Sequence, residues 1–190
     1  EEIKNHDEPL FLFNVTIQNH GGYEEKDLGD IAVDVDSKYN QYEDLRIFSG
    51  LMAKSDIALE EFMGKLKMMN RPVLLCFYGD HQPSLDQEFL EDLLSSGKNK
   101  SLSAAELEQK RYITPYVIWT NQKSPSNSFA TPVSTDGNYN IITPTYIGAM
   151  AKYYMGCTLS DYEKYLIALR SKLPVLNTSG CYTIESGFVS

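Results

Sequence analysis

Cysteine is scarce and unpatterned in this chain: Cys76, Cys157 and Cys181 are all it has, and none stands in a CxxC spacing. A zinc ribbon and a thioredoxin-like redox motif are therefore excluded. Cys157 and Cys181 are open to pairing in an oxidising compartment, but an odd total at low density favours free thiols. Basic residues are also outnumbered: 17 Lys and Arg against 26 Asp and Glu leave a net charge of -9 over 190 residues, and the basic residues are scattered rather than gathered into a stripe. A nucleic-acid partner is thereby excluded, and an anionic substrate would need a metal to supply local positive charge. No apolar run approaches the roughly 20 residues of a membrane span. The Glu1-Glu2 start has no signal-peptide character. The 190 residues are expected to be soluble, with any membrane anchor lying outside them. There is no internal repeat or low-complexity segment, and the acidic Glu24-Glu25-Lys26-Asp27 stretch lacks the spacing of a calcium loop.

What is present is enough apolar material for a core: 42% hydrophobic residues, 12% of the chain aromatic. Leu10 to Ile17 is β-branched and aromatic and reads as a strand, ending in the polar turn Gln18-Asn19-His20-Gly21-Gly22-Tyr23. From about Asp36 to Met69, Leu45, Phe48, Met52, Leu59, Phe62, Leu66 and Met69 recur at three, four or seven residues, which predicts one long amphipathic helix ended by Arg71-Pro72. Val73 to Tyr78 and Pro115 to Thr120 read as strands, the second carrying Trp119 in a core position. Ser84 with Gln87, Ser103 with Glu106 and Ser160 with Glu163 have capping-box spacing and predict three helix starts. A Ser, Asn and Pro-rich loop runs from Asn121 to about Asn140, and Thr143-Pro144 opens a helix through Tyr154 that Gly156 stops. A last helix covers Tyr162 to Lys172, and Cys181 to Val189 forms a terminal hairpin or edge strand. The spacing of Tyr146, Tyr153, Tyr154, Tyr162 and Tyr165 favours core and rim packing over a glycan-stacking surface. Strands alternating with helices predict an α/β layered sandwich with a largely parallel sheet.

The chemistry concentrates in Pro72-Val-Leu-Leu-Cys-Phe-Tyr-Gly-Asp80-His81-Gln-Pro-Ser, where an apolar strand runs into a carboxylate and an imidazole. Open α/β sheets bind ligands at the C-terminal ends of their strands. An Asp oxygen beside a His nitrogen suits a borderline divalent ion such as manganese or zinc. Gly79 is expected to let the backbone turn there. His6, in a charged N-terminal segment, receives no role.

Phe11 to His20, then Phe77-Tyr-Gly-Asp80-His81-Gln-Pro, Thr114-Pro-Tyr-Val-Ile-Trp and Ile142-Thr-Pro-Thr-Tyr-Ile-Gly, occur in an order and spacing similar to lipoteichoic acid synthase-type phosphoglycerol transferases. These form part of the sulfatase-like branch of the alkaline phosphatase superfamily, and the resemblance runs from about Pro9 to Met155. It implies an alkaline phosphatase-like fold, metal roles for Asp80 and His81 with Mn2+ the usual ion and Mg2+ or Zn2+ as alternatives, and a substrate-contacting role for His20. His20 departs from many relatives in being followed by Gly-Gly-Tyr rather than a Tyr-Pro type continuation. The family's nucleophilic threonine and a metal-binding glutamate precede the equivalent of Leu10, where this sequence has nine residues. The resemblance thus makes residues 1–190 a single partial domain, the C-terminal half of a catalytic domain, with no catalytic nucleophile among them and no activity alone. For the complete enzyme it implies attack by threonine on a lipid-linked phosphoglycerol donor, a covalent phosphoglycerol-threonine intermediate, and transfer to an envelope polymer acceptor. That places it at the extracellular face of a bacterial cytoplasmic membrane, with membrane association through absent upstream segments. A sulfatase or phosphodiesterase hydrolase of the same superfamily, and a non-catalytic half-domain binding cell-wall polymer, are the alternatives.

Overall fold

A computed structural model describes residues 3, 8–23, 26–28, 33–122, 141–178, 180–183 and 185–189. They fall into two compact units, one formed by Glu1–Arg71 with Pro83–Ser96 and the other by Pro72–Gln82 with Gly97–Ser190. Beyond Gln122 the predicted Asn121 to Asn140 loop lies outside the described residues, as do His6 and Glu24-Glu25.

The first unit is built on α1, Glu43–Lys67. The periodic stretch starts earlier, but Asp36 caps only a short 3-10 turn, Ser37–Tyr39, by accepting from the Lys38 amide at 3.0 Å. Ile47, Gly50, Leu51 and Leu66 are the buried face of α1, and Ile47 and Leu51 close a core with Tyr23 and Leu28, against which Phe48 and Leu85 pack. Helix α2, Gln87–Ser95, begins one residue after Asp86, whose side chain accepts from the Glu88 and Phe89 amides. The cap is therefore Asp86 and not the predicted Ser84. The physical reason is placement: the Asp86 amide donates to the Asp44 carboxylate of α1 at 2.6 Å, which fixes where the helix can start. A carboxylate at that point also complements the helix dipole. Phe89 is buried edge-on against Tyr39, ring centroids 5.0 Å apart.

Leu10 to Ile17 is not a strand. It pairs with no strand among the described residues, and both of its faces are open, with Phe11 87% and Phe13 69% exposed on one and Leu12 52% on the other. Strand propensity is a preference for a pleated surface between neighbours, and without a neighbouring ladder it has nothing to act on.

The second unit opens with β1, Leu74–Tyr78, followed by α3, Ala104–Lys110, and β2, Tyr116–Thr120. The strands pair antiparallel from Leu74 opposite Thr120 to Tyr78 opposite Tyr116, which sets the half-buried Trp119 opposite Leu75. Both remaining capping boxes form: Ser103 with Glu106 starts α3, and Ser160 with Glu163 starts α5, Asp161–Arg170. Between them comes α4, Ile147–Tyr154, entered through a 3-10 turn at Pro144–Tyr146. Thr143 stands at the predicted start, but its hydroxyl is engaged with Leu176, accepting from the amide at 2.7 Å and facing the carbonyl at 3.0 Å. Gly156 ends the helix at φ +70°, the left-handed geometry glycine tolerates. Tyr146, Ala149, Met150 and Leu166 make the core, joined by Ile118 of β2. The Tyr146 hydroxyl donates to the Leu173 carbonyl at 2.7 Å. Tyr162 and Tyr165, by contrast, are 65% and 59% exposed, so the tyrosine set divides between core and surface. The chain ends in an antiparallel meander, β3 Val175–Asn177, β4 Gly180–Thr183 and β5 Gly187–Val189. The first of these strands was not anticipated.

The alternation of helices and strands makes this an α/β chain. Every strand pairing among the described residues is antiparallel, so the expected parallel sheet is not among them. All three cysteines are free thiols, and burial pushes the Cys76 thiol up, keeping it protonated in its strand. No helix among the described residues is long and apolar enough to cross a membrane.

Candidate metal-binding and substrate site

Asp80 and His81 leave the C-terminal end of β1 as the sequence predicts, and the backbone there is fastened rather than loose. The Gly79 amide donates to the Pro115 carbonyl at 3.1 Å, and the Thr114 hydroxyl donates to the Gly79 carbonyl at 2.8 Å, carrying the β1–β2 ladder one residue further. Gln82 closes the junction from the other side, its side-chain Nε2 donating to the Ile113 carbonyl. Gly79 does not take a left-handed conformation, since its φ is not positive. Its role is close approach: a Cβ at this position would lie 3.2 Å from Cβ of Thr114.

Between these fastenings Asp80 and His81 face each other. His81 Nε2 lies 3.8 Å from Asp80 Oδ2, while Asp80 Oδ1 accepts from the His81 backbone amide at 3.0 Å. The other ring nitrogen, Nδ1, is 2.7 Å from the Gln82 carbonyl. A carbonyl can only accept, so Nδ1 carries a proton and donates, and the Nε2 edge of the ring is turned toward the Asp80 carboxylate. That is how metal-ligating histidines are held, with the second nitrogen anchored to fix tautomer and ring orientation. Two donors on one ion at bond lengths of about 2.1 Å in tetrahedral array lie roughly 3.4 Å apart, close to the separation here. The side chains are 80% exposed for Asp80 and 62% for His81, so a metal could reach them without unfolding the unit. No third ligand-type residue joins them: among the described residues no group of three His, Cys, Asp or Glu could hold an ion.

His20 belongs to the other unit, on the turn before Tyr23. Its amide donates to the Ile17 carbonyl at 3.1 Å, and the residue is exposed. Gly22, at φ +87°, turns the chain back so that Tyr23 enters the α1 core at 4% exposure. The Gly-Gly-Tyr departure thus has a structural purpose. Of the three residues singled out from sequence, the structure places Asp80 and His81 side by side and His20 on a separately organised turn. Sequence reasoning missed the supporting residues Thr114, Gln82, Asn19 and Ser55. Thr114 and Gln82 did stand inside the recognised segments, whereas a lone Ser55 in the middle of a helix carried no signal.

Comparison with known proteins settles the kinship. The Sulfatase family profile matches residues 1–152. The chain belongs to the Sulfatase family. Over 174 residues, 88% of its length, it is 27% identical to a putative cyclic beta-1,2-glucan modification protein of Rhizobium meliloti (strain 1021), of which this covers 26%. It is also 33% identical over 79 residues, 42% of the chain, to the capsular polysaccharide biosynthesis protein RkpI of the same organism, covering 13% of that protein. The sulfatase-family chain therefore spans about a quarter or less of the length of these relatives. Its fold is similar to that of the Streptococcus pyogenes phosphoglycerol transferase GacH, solved with sn-glycerol-1-phosphate, with a TM-score of 0.51 at 21% identity over 78% of this chain and 34% of that one.

Proposed function

We propose that the chain is the C-terminal part of the catalytic domain of a metal-dependent phosphoglycerol transferase, or a transferase of a related phospho-group, serving cell-envelope polymer synthesis. The observation that carries this reading is the facing of His81 Nε2 and Asp80 Oδ2 across 3.8 Å, with Nδ1 committed to the Gln82 carbonyl, in a chain of the Sulfatase family. The fold shared with a phosphoglycerol transferase and the polysaccharide-related names of both curated relatives support it.

The donor set fits one divalent ion, manganese foremost and magnesium or zinc next, held by Asp80 and His81 together with ligands outside these residues. When bound, such an ion supplies positive charge to phosphoryl oxygens and lowers the pKa of a nucleophilic hydroxyl. Asp80 contributes the negative charge that retains the ion in a site otherwise open to water. His81 contributes a neutral nitrogen whose direction is fixed by Gln82. His20 donates to a non-bridging phosphoryl oxygen or a glycerol hydroxyl, orienting the substrate. The nucleophile and remaining ligands belong to a part of the catalytic domain not contained in these residues. The donor is a lipid-linked phosphoglycerol, the acceptor an envelope polymer, and the site faces outward from a bacterial cytoplasmic membrane. The family's description favours hydrolysis of a sulfate ester as the second reading, with phosphodiester hydrolysis its counterpart in the same superfamily.

The test is calorimetric titration of Mn2+ into this chain, into Asp80→Asn and into His81→Gln. Weak binding by the parent that both variants lose is the expected result. An affinity unchanged in both variants, or absent in the parent while polymer binding is retained, refutes the metal site. Turnover of a phosphatidylglycerol analogue by the 190-residue chain would refute the missing nucleophile.

A further inference from the structure

The turn carrying His20 is gripped from two sides by groups that the reaction itself does not use. Asn19 presents both ends of its amide to the Ser55 hydroxyl of α1: Nδ2 donates to Oγ at 3.0 Å, and Oγ faces Oδ1 at 3.1 Å as donor. Gln18 Nε2 adds a third contact to the same oxygen at 3.3 Å, and Asn19 Nδ2 also lies 3.4 Å from the Met52 sulfur. From the other side the Tyr23 hydroxyl donates to the Asn19 carbonyl at 3.4 Å, from a ring buried edge-on against Phe48. Burial first, then the Asp44 carboxylate, pushes the Tyr23 phenol up, so it stays a donor throughout the neutral range.

These contacts fall on the residue before His20, and the His20 amide is itself tied to Ile17. The peptide that precedes the imidazole's attachment point is held through both its carbonyl and its amide while the residue stays exposed. Ser55 is an unusual choice for the middle of a 25-residue helix. Serine there loses helix propensity to alanine and ordinarily bonds its own helix backbone. Here its hydroxyl serves a turn 36 residues away in sequence.

We propose that Ser55 and Tyr23 are positioning residues for His20, holding the Asn19-His20 backbone so that the imidazole meets a phosphoryl oxygen or glycerol hydroxyl without first being ordered. This rests on the substrate-contacting role proposed above for His20. Pre-ordering matters because a binding group that must be immobilised at the moment of binding gives back part of its contact energy as entropy. Losing one or two hydrogen bonds from the clamp should therefore weaken phosphate-group binding by about 3–10-fold.

The experiment uses this chain, with sn-glycerol 1-phosphate and inorganic phosphate as probes, followed by NMR at the His20 ring and at the Asn19, His20 and Gly21 amides. The variants are Ser55→Ala, Ser55→Thr, Tyr23→Phe and His20→Gln. Ser55→Ala and Tyr23→Phe are expected to raise fast amide motion in the turn and weaken probe binding 3–10-fold with thermal unfolding nearly unchanged, and Ser55→Thr, which keeps the hydroxyl, to restore both. Ser55→Ala and Tyr23→Phe leaving turn motion and binding unaltered would overturn the clamp. A His20→Gln chain that binds the probes as well as the parent, or a parent that binds neither, would overturn the role of His20 instead, and the amide relaxation would still decide whether Ser55 and Tyr23 hold the turn.

Discussion

Gly50→Ala should destabilise the first unit, although by helix propensity alone it should do the opposite. Replacing a helical glycine by alanine is worth about 0.8–1 kcal/mol of stability. Gly50 faces Leu28, however, and an added Cβ would sit 2.6 Å and 2.7 Å from the two Cδ atoms of Leu28 and 3.2 Å from its Cγ. Carbon atoms settle at about 3.5–4.0 Å, so Leu28 would have to retreat by roughly 1 Å. It is only 8% exposed and packed with Tyr23, Ile47 and Leu51, so the shift passes into neighbours that are themselves confined. Overpacking of this kind costs about 1–3 kcal/mol, which leaves a net loss of about 0–2 kcal/mol. In a Leu28→Ala background the obstruction is gone and the same substitution should stabilise by about 1 kcal/mol. The two sites should thus couple by about 1–3 kcal/mol in a double-mutant cycle. Urea unfolding followed by far-UV circular dichroism is the right assay, because the chain's one tryptophan, Trp119, belongs to the other unit. Stabilisation by Gly50→Ala in the parent background would refute the argument, since propensity would then outweigh packing.

Two further outcomes follow from surface features. Glu163 accepts from Lys152 Nζ at 2.7 Å and from the Ser160 amide and hydroxyl, and the lysine first, then the serine, pulls its carboxyl down to about 2. A carboxyl depressed on folding contributes stability that is whole above its ordinary value near 4.5 and is lost as pH falls toward 2, so Glu163→Gln should flatten the acid limb of the stability profile in that window, and an unchanged limb would count against the contact. Phe11→Ser and Phe13→Ser should change unfolding free energy by no more than about 0.5 kcal/mol, since both rings are exposed, while lowering light scattering at high protein concentration; a loss above 2 kcal/mol would mean these rings are packed.

The sequence made the local rules visible and left the pairings hidden. Ser103 with Glu106 and Ser160 with Glu163 form capping boxes because a cap depends on atoms three residues apart, all of them readable from the chain. Ser84 with Gln87 has the same spacing and caps nothing, because Asp86 is held by Asp44, 42 residues away. The adjacency of Asp80 and His81 was legible for a similar reason: Asp80, His81 and Gln82 are consecutive, and two of the contacts that orient the pair lie among these three residues. The close approach at Gly79 was not legible because its partner, Thr114, is 35 residues distant. Ser55 and Asn19 were missed on the same grounds.

The contrast between Leu10 to Ile17 and Leu74–Tyr78 carries this furthest, since the two runs are nearly interchangeable in composition. Both are apolar and aromatic, and both end at a turn bearing a histidine. Only the second is a strand, because Tyr116–Thr120 offers it a ladder with every residue in register. The difference therefore lies in what stands beside each run and not in the run itself. The same logic reaches the chemistry: the β1–β2 ladder continues through Gly79 and Thr114 to within one residue of Asp80, so the facing of Asp80 and His81 inherits the order of a sheet. His20 has no ladder behind it among the described residues. Its backbone is tied to Ile17, and Ser55 and Tyr23 hold the preceding residue, Asn19.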